Sequence, residues 1–494
     1  MSHILSKSTF IRGLKCSKAL YLNKHHKELR DNFSNQQEAI LEQGTRVGEL
    51  AQNIFPGGFD CTPEEQWDFA ESVKKTKEAI ENGVTVLYEA AFQFEGILVL
   101  LDILVKHVYG WKAYEVKSST SVHDTYLNDA TIQTYVITNC GVELKDVSIV
   151  YINNQYVFDG ELDVQNLFTI QSVKASVDKR LPFVPEQVSS MKQVLELNEV
   201  PEVDVGSHCG SPYACDFASQ CWGHVPEYSV FDIRYGRGIG WKLYKEGYLT
   251  TTDIPDDYPL NNRHQIQVNG DKYGQKIINK KEIENFLKTL KYPLAHIDFE
   301  TFQMAVPRFM GTRPYQQTCF QWSAHIQNEH DSVIEHKEYL GTQGEDPRED
   351  FITSLIAAME GVKTILVYNI AFERTRLKEL AIQFPKYDSE ILSIITRLDD
   401  LMIPFQKRHV YYPEMQGSYS IKKVLPALVP ELSYKDLNIQ EGGTASSTYA
   451  NLHLVQNKEQ VAQTRKNLLA YCELDTYAMV KILEVLEGLI SHKN

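Results

Sequence analysis

The sequence predicts an α/β protein of two modules joined by a helical connector, and three observations lead there. The chain has 494 residues, and roughly 100 to 200 residues per domain gives two to four domains. Strand-length apolar runs alternate with amphipathic helical patterns in the first half. A second such mixture begins at LAHIDFETF (294–302) and runs to the C-terminus. With 43% hydrophobic and 23% charged residues, the composition excludes a disordered, collagen-like or disulfide-scaffold chain.

In chain order, residues 8–52 read as helices, ending in the amphipathic EAILEQGTRVGELAQNIF. Val84 to Phe94, Gly96 to Val105 and Trp111 to Ser118 run apolar or alternate in strand lengths, with turn residues between them. A helix follows around Asp129 to Asn139, then the strand-like VSIVYINNQYV (147–157). The first module closes at about Pro226, giving residues 1–226. Residues 227–290 form a connector whose glycine-punctuated GRGIGWKLYKEGYLTTTDIP suggests a helix-hairpin-helix-like element. Residues 291–494 form the second module, with strands near 294–302, 318–327 and 363–368 and a last helix at about 464–489.

No apolar run approaches the roughly 18 residues that span a bilayer. The longest, Gly96 to Val105, contains Asp102, so no membrane partner is expected. The start, MSHILSKSTFIRGLK, lacks the apolar segment of a secretory signal, and the expected location is the cytoplasm. Lys plus Arg is 50 and Asp plus Glu 65, a net charge of −15. Such a field repels phosphate, which excludes a bulk nucleic-acid coater and leaves local basic patches. Lys7, Arg12, Lys15, Lys18, Lys24, Lys27 and Arg30, against Glu28 alone, make one.

Eight cysteines in a cytoplasmic setting argue against disulfides. Cys209, Cys215 and Cys221 stand in HCGSPYACDFASQCW, a Gly- and Pro-bearing stretch without helical period, as expected of a loop folded around a metal. Three thiolates need a fourth ligand, from His208, His224 or the distant Cys16. Zinc and an iron–sulfur cluster both suit thiolates.

Asp102 lies in GILVLLDILV, and Glu115 and Lys117 follow in AYEVKSST. Positions i and i+2 of a strand share a face, so carboxylate and ammonium converge. Paired carboxylates can hold Mg²⁺ or Mn²⁺, and a neighbouring lysine can orient water or stabilise developing charge. This pattern, with Gln133 and Tyr135 in the following helix, resembles the RecB-like branch of the PD-(D/E)XK nucleases, including CRISPR-associated exonucleases. The resemblance implies a restriction-endonuclease-like core with Asp102, Glu115, Lys117 and Gln133 at its site. It also implies a [4Fe–4S] cluster held by one N-terminal and three C-terminal cysteines, here Cys16 with Cys209, Cys215 and Cys221, with zinc as the runner-up. The first interval of the trio is five residues where that branch has two. The branch's helical G-x-x-x-H is reduced to Gly44 and Gly48, leaving Glu89 in VLYEAAF as a substitute metal ligand.

HIDFETF places Asp298 and Glu300 on one strand face. A pair of carboxylates at such a position repels itself unless a cation is present. Asn369, Phe372 and Glu373 follow in TILVYNIAFERTRL, and Tyr471 and Asp475, four apart on one helix face, in LLAYCELDTYAMVKIL. Together these resemble the DEDD exonucleases of the RNase H-like fold, in the subclass with Tyr471 as the water-orienting tyrosine. Glu373 replaces the usual Asp of that family, and Asp400 in RLDDLM is a fallback ligand. The whole chain is similar to an uncharacterised bacterial family joining a RecB-like module to a C-terminal domain of unknown function. HIDFETF, PYQQTCFQW, MQGSYSIKKVLPAL and YCELDT carry that likeness. The resemblances imply an Mg²⁺- or Mn²⁺-dependent deoxyribonuclease acting on DNA ends or single strands, in repair or defence. RNA 3′-exonuclease action and silent end binding are the alternatives.

Overall fold

A computed structural model describes residues 4–65 and 67–491. It is a mixed α/β protein with several sheets, built as two compact units. One unit comprises the chain up to His224 together with Met304–Tyr315; the other comprises Val225–Gln303 and the chain from Gln316 onward. The crossing of 304–315 into the first unit is marked by no composition shift. Its Thr312 carbonyl accepts from Phe158 N–H, and its Tyr315 hydroxyl donates to the Ser118 carbonyl.

The first unit is a seven-stranded mixed sheet. Val86–Phe94, Ile97–His107 and Gly110–Lys117 form an antiparallel meander, and Leu144–Ile152 pairs parallel with Gly110–Lys117. A parallel neighbour requires a crossover, supplied by the Asp124–Asn139 helix, which buries Ala130, Ile132, Gln133, Val136 and Ile137. Leu101, Leu104 and Ile149 are fully buried in the same core, each worth about 1.5–3 kcal/mol. Short strands Leu5–Ser6, Phe59–Asp60 and Phe168–Ser172 complete the sheet. Two basic helices, Lys7–Lys15 and Ser17–His25, meet at Cys16, whose extended backbone (φ −163°, ψ 121°) ends one and starts the next.

In the second unit a five-stranded sheet runs in the order Ile334–Leu340, Thr318–Gln327, Leu294–Phe302, Thr364–Val367, Leu398–Asp400. The first three strands pair antiparallel with one another, and the last two continue parallel to Leu294–Phe302. Alternation sorts the faces. Ala295, Ile297, Phe299, Trp322 and Ala324 pack with the helices Arg348–Ala358, Ile370–Gln383 and Asp388–Thr396. Their alternates, His296, Asp298, Glu300, Gln321, Ser323 and His325, look toward the long helix Lys458–Ser491. A sheet face this polar cannot be a plain core surface, because each buried polar group must be partnered. The connector folds with this unit as the helices Arg237–Lys245, Asn262–Tyr273 and Lys280–Leu287. Among the described residues, no helix is long and apolar enough to cross a membrane.

Candidate functional site

Each unit assembles one charged centre. In the first, the Ile97–His107 and Gly110–Lys117 strands bring Asp102 against the start of E-V-K, and Asp102 Oδ2 accepts from the Val116 N–H at 2.5 Å. Glu115 is 2% exposed and carries the densest bonding. Its Oε1 accepts from Lys117 (2.8 Å) and from Lys7 (2.6 Å). Gln133 Nε2 bridges the Leu100 carbonyl and Glu115 Oε2. Gln133 therefore acts through Glu115 and is a positioning residue, while Tyr135 turns away and packs against Phe94 at 6.0 Å. Lys117 also binds Asp129 at 2.6 Å and lies over the Tyr126 ring.

Burial pushes Asp102 up to about 7, with the neighbouring Glu115 adding to it. Burial pushes Glu115 up too, but Lys117 and Lys7 overcome it and hold Glu115 at about 2. Lys117 stays charged because Glu115 and Asp129 outweigh its burial. Glu89 joins this group. It sits at φ +50° between the pairs Tyr88–Ile103 and Ala90–Leu101. Burial, then Asp102 and Glu115, raise it to about 8. Lys7 and Asp129 were not singled out as site residues from sequence. Lys7 comes from the N-terminal helix, 108 residues before Glu115, and Asp129 from the helix that follows the E-x-K strand.

The thiols Cys16, Cys209, Cys215 and Cys221 are half-buried and free of disulfides. Cys16 and Cys215 pack against Ala19, Leu22 and the fully buried Phe217. Cys221 lies within electrostatic range of both Cys16 and Cys209. Lys15 donates to the Cys209 carbonyl (3.3 Å) and to the Tyr213 carbonyl (2.5 Å), and Arg12 binds Asp216 at 2.6 Å. The basic helices thus hold the cysteine loop as well as presenting charge.

In the second unit Asp298, Glu300 and Asp475 each offer an oxygen, all within 4.8 Å of one another. Burial, Asp475, Glu300 and Glu373 together raise Asp298 well above the usual carboxylate range. Burial followed by Asp475 does the same to Glu300. Asp475 stands at about 6, raised by burial against the help of Tyr434, Lys422 and Tyr471. Glu373, 1% exposed, keeps Oε2 without a hydrogen-bond partner, and burial raises it to about 8. Asn369, at φ 83°, opens its helix. Asp400, the fallback ligand, lies within electrostatic range of Glu373 and adds to the raising of it. Its oxygens accept from the N–H groups of Asn369, Ile370 and Met402, a capping role.

Tyr471 is buried with its ring 6.2 Å from Tyr434. Tyr434, not marked from sequence, donates to Asp475 Oδ1 at 2.6 Å. Lys422 was quoted for family likeness but not as a site residue. Its ammonium lies 5.6 Å from the Tyr471 ring and lowers both Glu300 and Asp475. The Gly442–Leu452 helix starts here as well, since a Cβ on Gly442 would lie 3.9 Å from Glu300 Oε2 and 3.8 Å from the Tyr471 hydroxyl. These contacts come from segments tens of residues apart, and no local period announces them.

Residues 295–420 match a domain of unknown function, DUF2779. That span carries Asp298, Glu300 and Glu373 and ends before Tyr471 and Asp475. The chain is 29% identical over 270 residues to an uncharacterised protein of Mycoplasma pneumoniae, covering 50% of this chain and 40% of that one. It is likewise 29% identical over 292 residues to an uncharacterised protein of Ureaplasma parvum, covering 53% and 41%. A Mycoplasma genitalium relative is 28% identical over 230 residues, covering 42% and 34%. The chain therefore spans about two fifths of the length of these curated relatives.

Proposed function

We propose that the protein is a divalent-metal-dependent nuclease with two hydrolytic centres that act on DNA ends or single strands. The carrying observation is the buried set Asp298, Glu300, Glu373 and Asp475, four carboxyl groups with one ammonium, Lys422, acting among them. Four such groups cannot all ionise in low dielectric without cations. All-oxygen donors suit Mg²⁺ or Mn²⁺. Bound there, such ions would polarise a phosphodiester and acidify a water.

The chain's own residues do the rest. Tyr434 and Lys422 favour the ionised form of Asp475. Tyr471, held beside Asp475 and Glu300, presents a hydroxyl that can orient a nucleophilic water. The Gly442–Leu452 helix start adds positive dipole near where phosphate oxygens would lie. The strand order, with antiparallel strands on one side of Leu294–Phe302 and parallel ones on the other, supports the RNase H-like reading.

In the first unit, Asp102, Glu115 and Lys117 on adjoining strands support the PD-(D/E)XK reading. Lys117 and Lys7 neutralise Glu115 and would offer two ammonium groups to the charge that develops on a five-coordinate phosphoryl transition state. Glu89, which feels Asp102 and Glu115, would stand in for the ligand that the missing helical histidine provides in that branch. The four cysteines fit a shared metal group by donor chemistry. Among the described residues, the groupings tight enough for one ion are Asp298, Glu300 and Asp475, and His325, His336 and Glu473. The more open thiols suit a [4Fe–4S] cluster better than a zinc ion.

Labelled DNA and RNA oligonucleotides, single- and double-stranded, incubated with anaerobically purified protein and Mn²⁺, test the substrate assignment. We expect metal-dependent shortening of DNA, with a ladder that reports polarity. Faster RNA shortening would move the assignment to RNA, and tight end binding without turnover would overturn the enzyme reading.

A further inference from the structure

Beyond Asp298, the polar sheet face of the second unit continues as a row of imidazoles. His325 is paired across strands with His296 on one side and His336 on the other. The His325 and His336 rings stack with centroids 4.6 Å apart. From the Lys458–Ser491 helix, Glu473 reaches the same place. One ligand atom from each of His325, His336 and Glu473 lies within 4.8 Å of the others. We propose that His325, His336 and Glu473 form a binding site for a zinc-class transition-metal ion, distinct from the carboxylate centre, that ties the C-terminal helix to the sheet.

The hydrogen bonds around the rings engage one nitrogen of each. Thr476 Oγ1 lies 2.8 Å from His325 Nδ1 and 2.8 Å from Ser323 Oγ. Ser323 Oγ in turn lies 2.9 Å from His336 Nε2. This chain occupies His325 Nδ1 and His336 Nε2 and leaves the opposite nitrogen of each ring for an ion. His336 Nδ1 faces Glu473 Oε1 at 3.9 Å, a separation that one ion between them can bridge. Metal-bound histidines hold their other ring nitrogen in this way, by a hydrogen bond that sets tautomer and orientation.

Two imidazoles and a carboxylate are a donor set for zinc, cobalt or nickel, not for magnesium. Burial keeps His325 unprotonated at neutral pH, at about 4. His296, next in the row, is 1% exposed with a partnerless Nδ1, so the row holds an unsatisfied polar atom deep in the sheet. The His336 and Glu473 side chains are 24% and 52% exposed, which opens the site to ions from solvent. The ligands do not overlap with Asp298, Glu300 or Asp475, although Glu473 and Asp475 share a helix.

The test strips full-length protein with chelator, reloads it with Zn²⁺ in excess Mg²⁺, and counts zinc after desalting. Wild type is run beside His336→Gln and Glu473→Gln. We expect each variant to retain one zinc fewer than wild type. Iron and acid-labile sulfide content, which report on the cysteines, are expected to be the same in wild type and variants. Thr476→Val is expected to keep the zinc but bind it about 10- to 100-fold more weakly. Coincident circular-dichroism melts of the stripped proteins show that the variants fold. Glu473→Gln, on an exposed side chain, carries the test should His336→Gln fail to fold. Equal zinc content in wild type and variants, or zinc lost only on removing cysteines, overturns the proposal.

Discussion

At the scale of single residues, Glu115 is the exception among the buried carboxyl groups of the two centres, since Asp102 and Glu89 beside it are raised by burial as those of the second centre are. Glu115 is held ionised by two lysines, whereas Asp298, Glu300 and Glu373 are pushed toward protonation by burial and mutual repulsion. Tyr434 is the residue that most directly keeps Asp475 usable. Tyr434→Phe removes a hydrogen bond to a charged group, worth about 1.5–3 kcal/mol. Asp475 should then titrate above its present value of about 6. The expected result is Mn²⁺ affinity roughly tenfold lower at pH 6, with much of the loss recovered at pH 8. Calorimetric titration at the two pH values checks it, and an unchanged affinity at pH 6 would contradict the role. Asp298 with Glu300, and Tyr471 with Asp475, were legible in sequence because period 2 and period 4 put each pair on one face. Lys7, Lys422 and Tyr434 were not, since each joins its centre from a distant segment, nor was Asp129, which sits on the following helix with no local pattern to mark it.

At the scale of elements, most strands and helices follow from their apolar period, and the differences lie at ends where turn chemistry prevails. The strand expected over 147–157 is Leu144–Ile152. The apolar pattern continues beyond it, but the Asn153 side chain accepts from the Gln155 N–H and turns the chain. The final helix begins at Lys458, earlier than 464, because Asn457 caps the N–H groups of Glu459 and Gln460. The edge strand Ile334–Leu340 went unmarked, being polar and largely open to solvent, and Leu398–Asp400 is too short to show a period. The final helix presents Tyr471, Asp475, Glu473 and Thr476 while burying Ala478, Ile482 and Leu486. Ile482→Ala, at a fully buried position, should cost about 2–5 kcal/mol. Ile482 lies about two turns beyond Asp475, so Mn²⁺ affinity under native conditions should change little. Denaturant unfolding with a parallel Mn²⁺ titration measures both, and a stability loss under 1 kcal/mol would show that the helix is not anchored there.

At the scale of the whole molecule, the mixed α/β character was readable from alternating patterns, whereas the excursion of 304–315 into the first unit was not. The raised carboxyls have a collective consequence. Glu89 and Glu373 titrate at about 8, Asp102 at about 7 and Asp475 at about 6, against about 4 in an unfolded chain. Between these values the folded protein keeps protons that the unfolded chain has lost, so metal-free stability falls as pH rises from about 4 to 8, each group contributing up to about 1.4 kcal/mol per unit. Glu115, held at about 2, works in the opposite sense, but its contribution is lost only as pH falls below about 4 and lies outside this window. Melting temperatures in chelator should drop from pH 5 to pH 8, and Mn²⁺ should restore more at pH 8. An equal Mn²⁺ effect at both would contradict the account. The most direct test of the central claim is the Mn²⁺-dependent cleavage rate of end-labelled DNA by wild type and by the Lys117→Ala, Asp298→Ala double variant. The two-centre account predicts that the double variant loses cleavage by at least about a thousandfold. Cleavage at the wild-type rate would show that neither centre performs the chemistry.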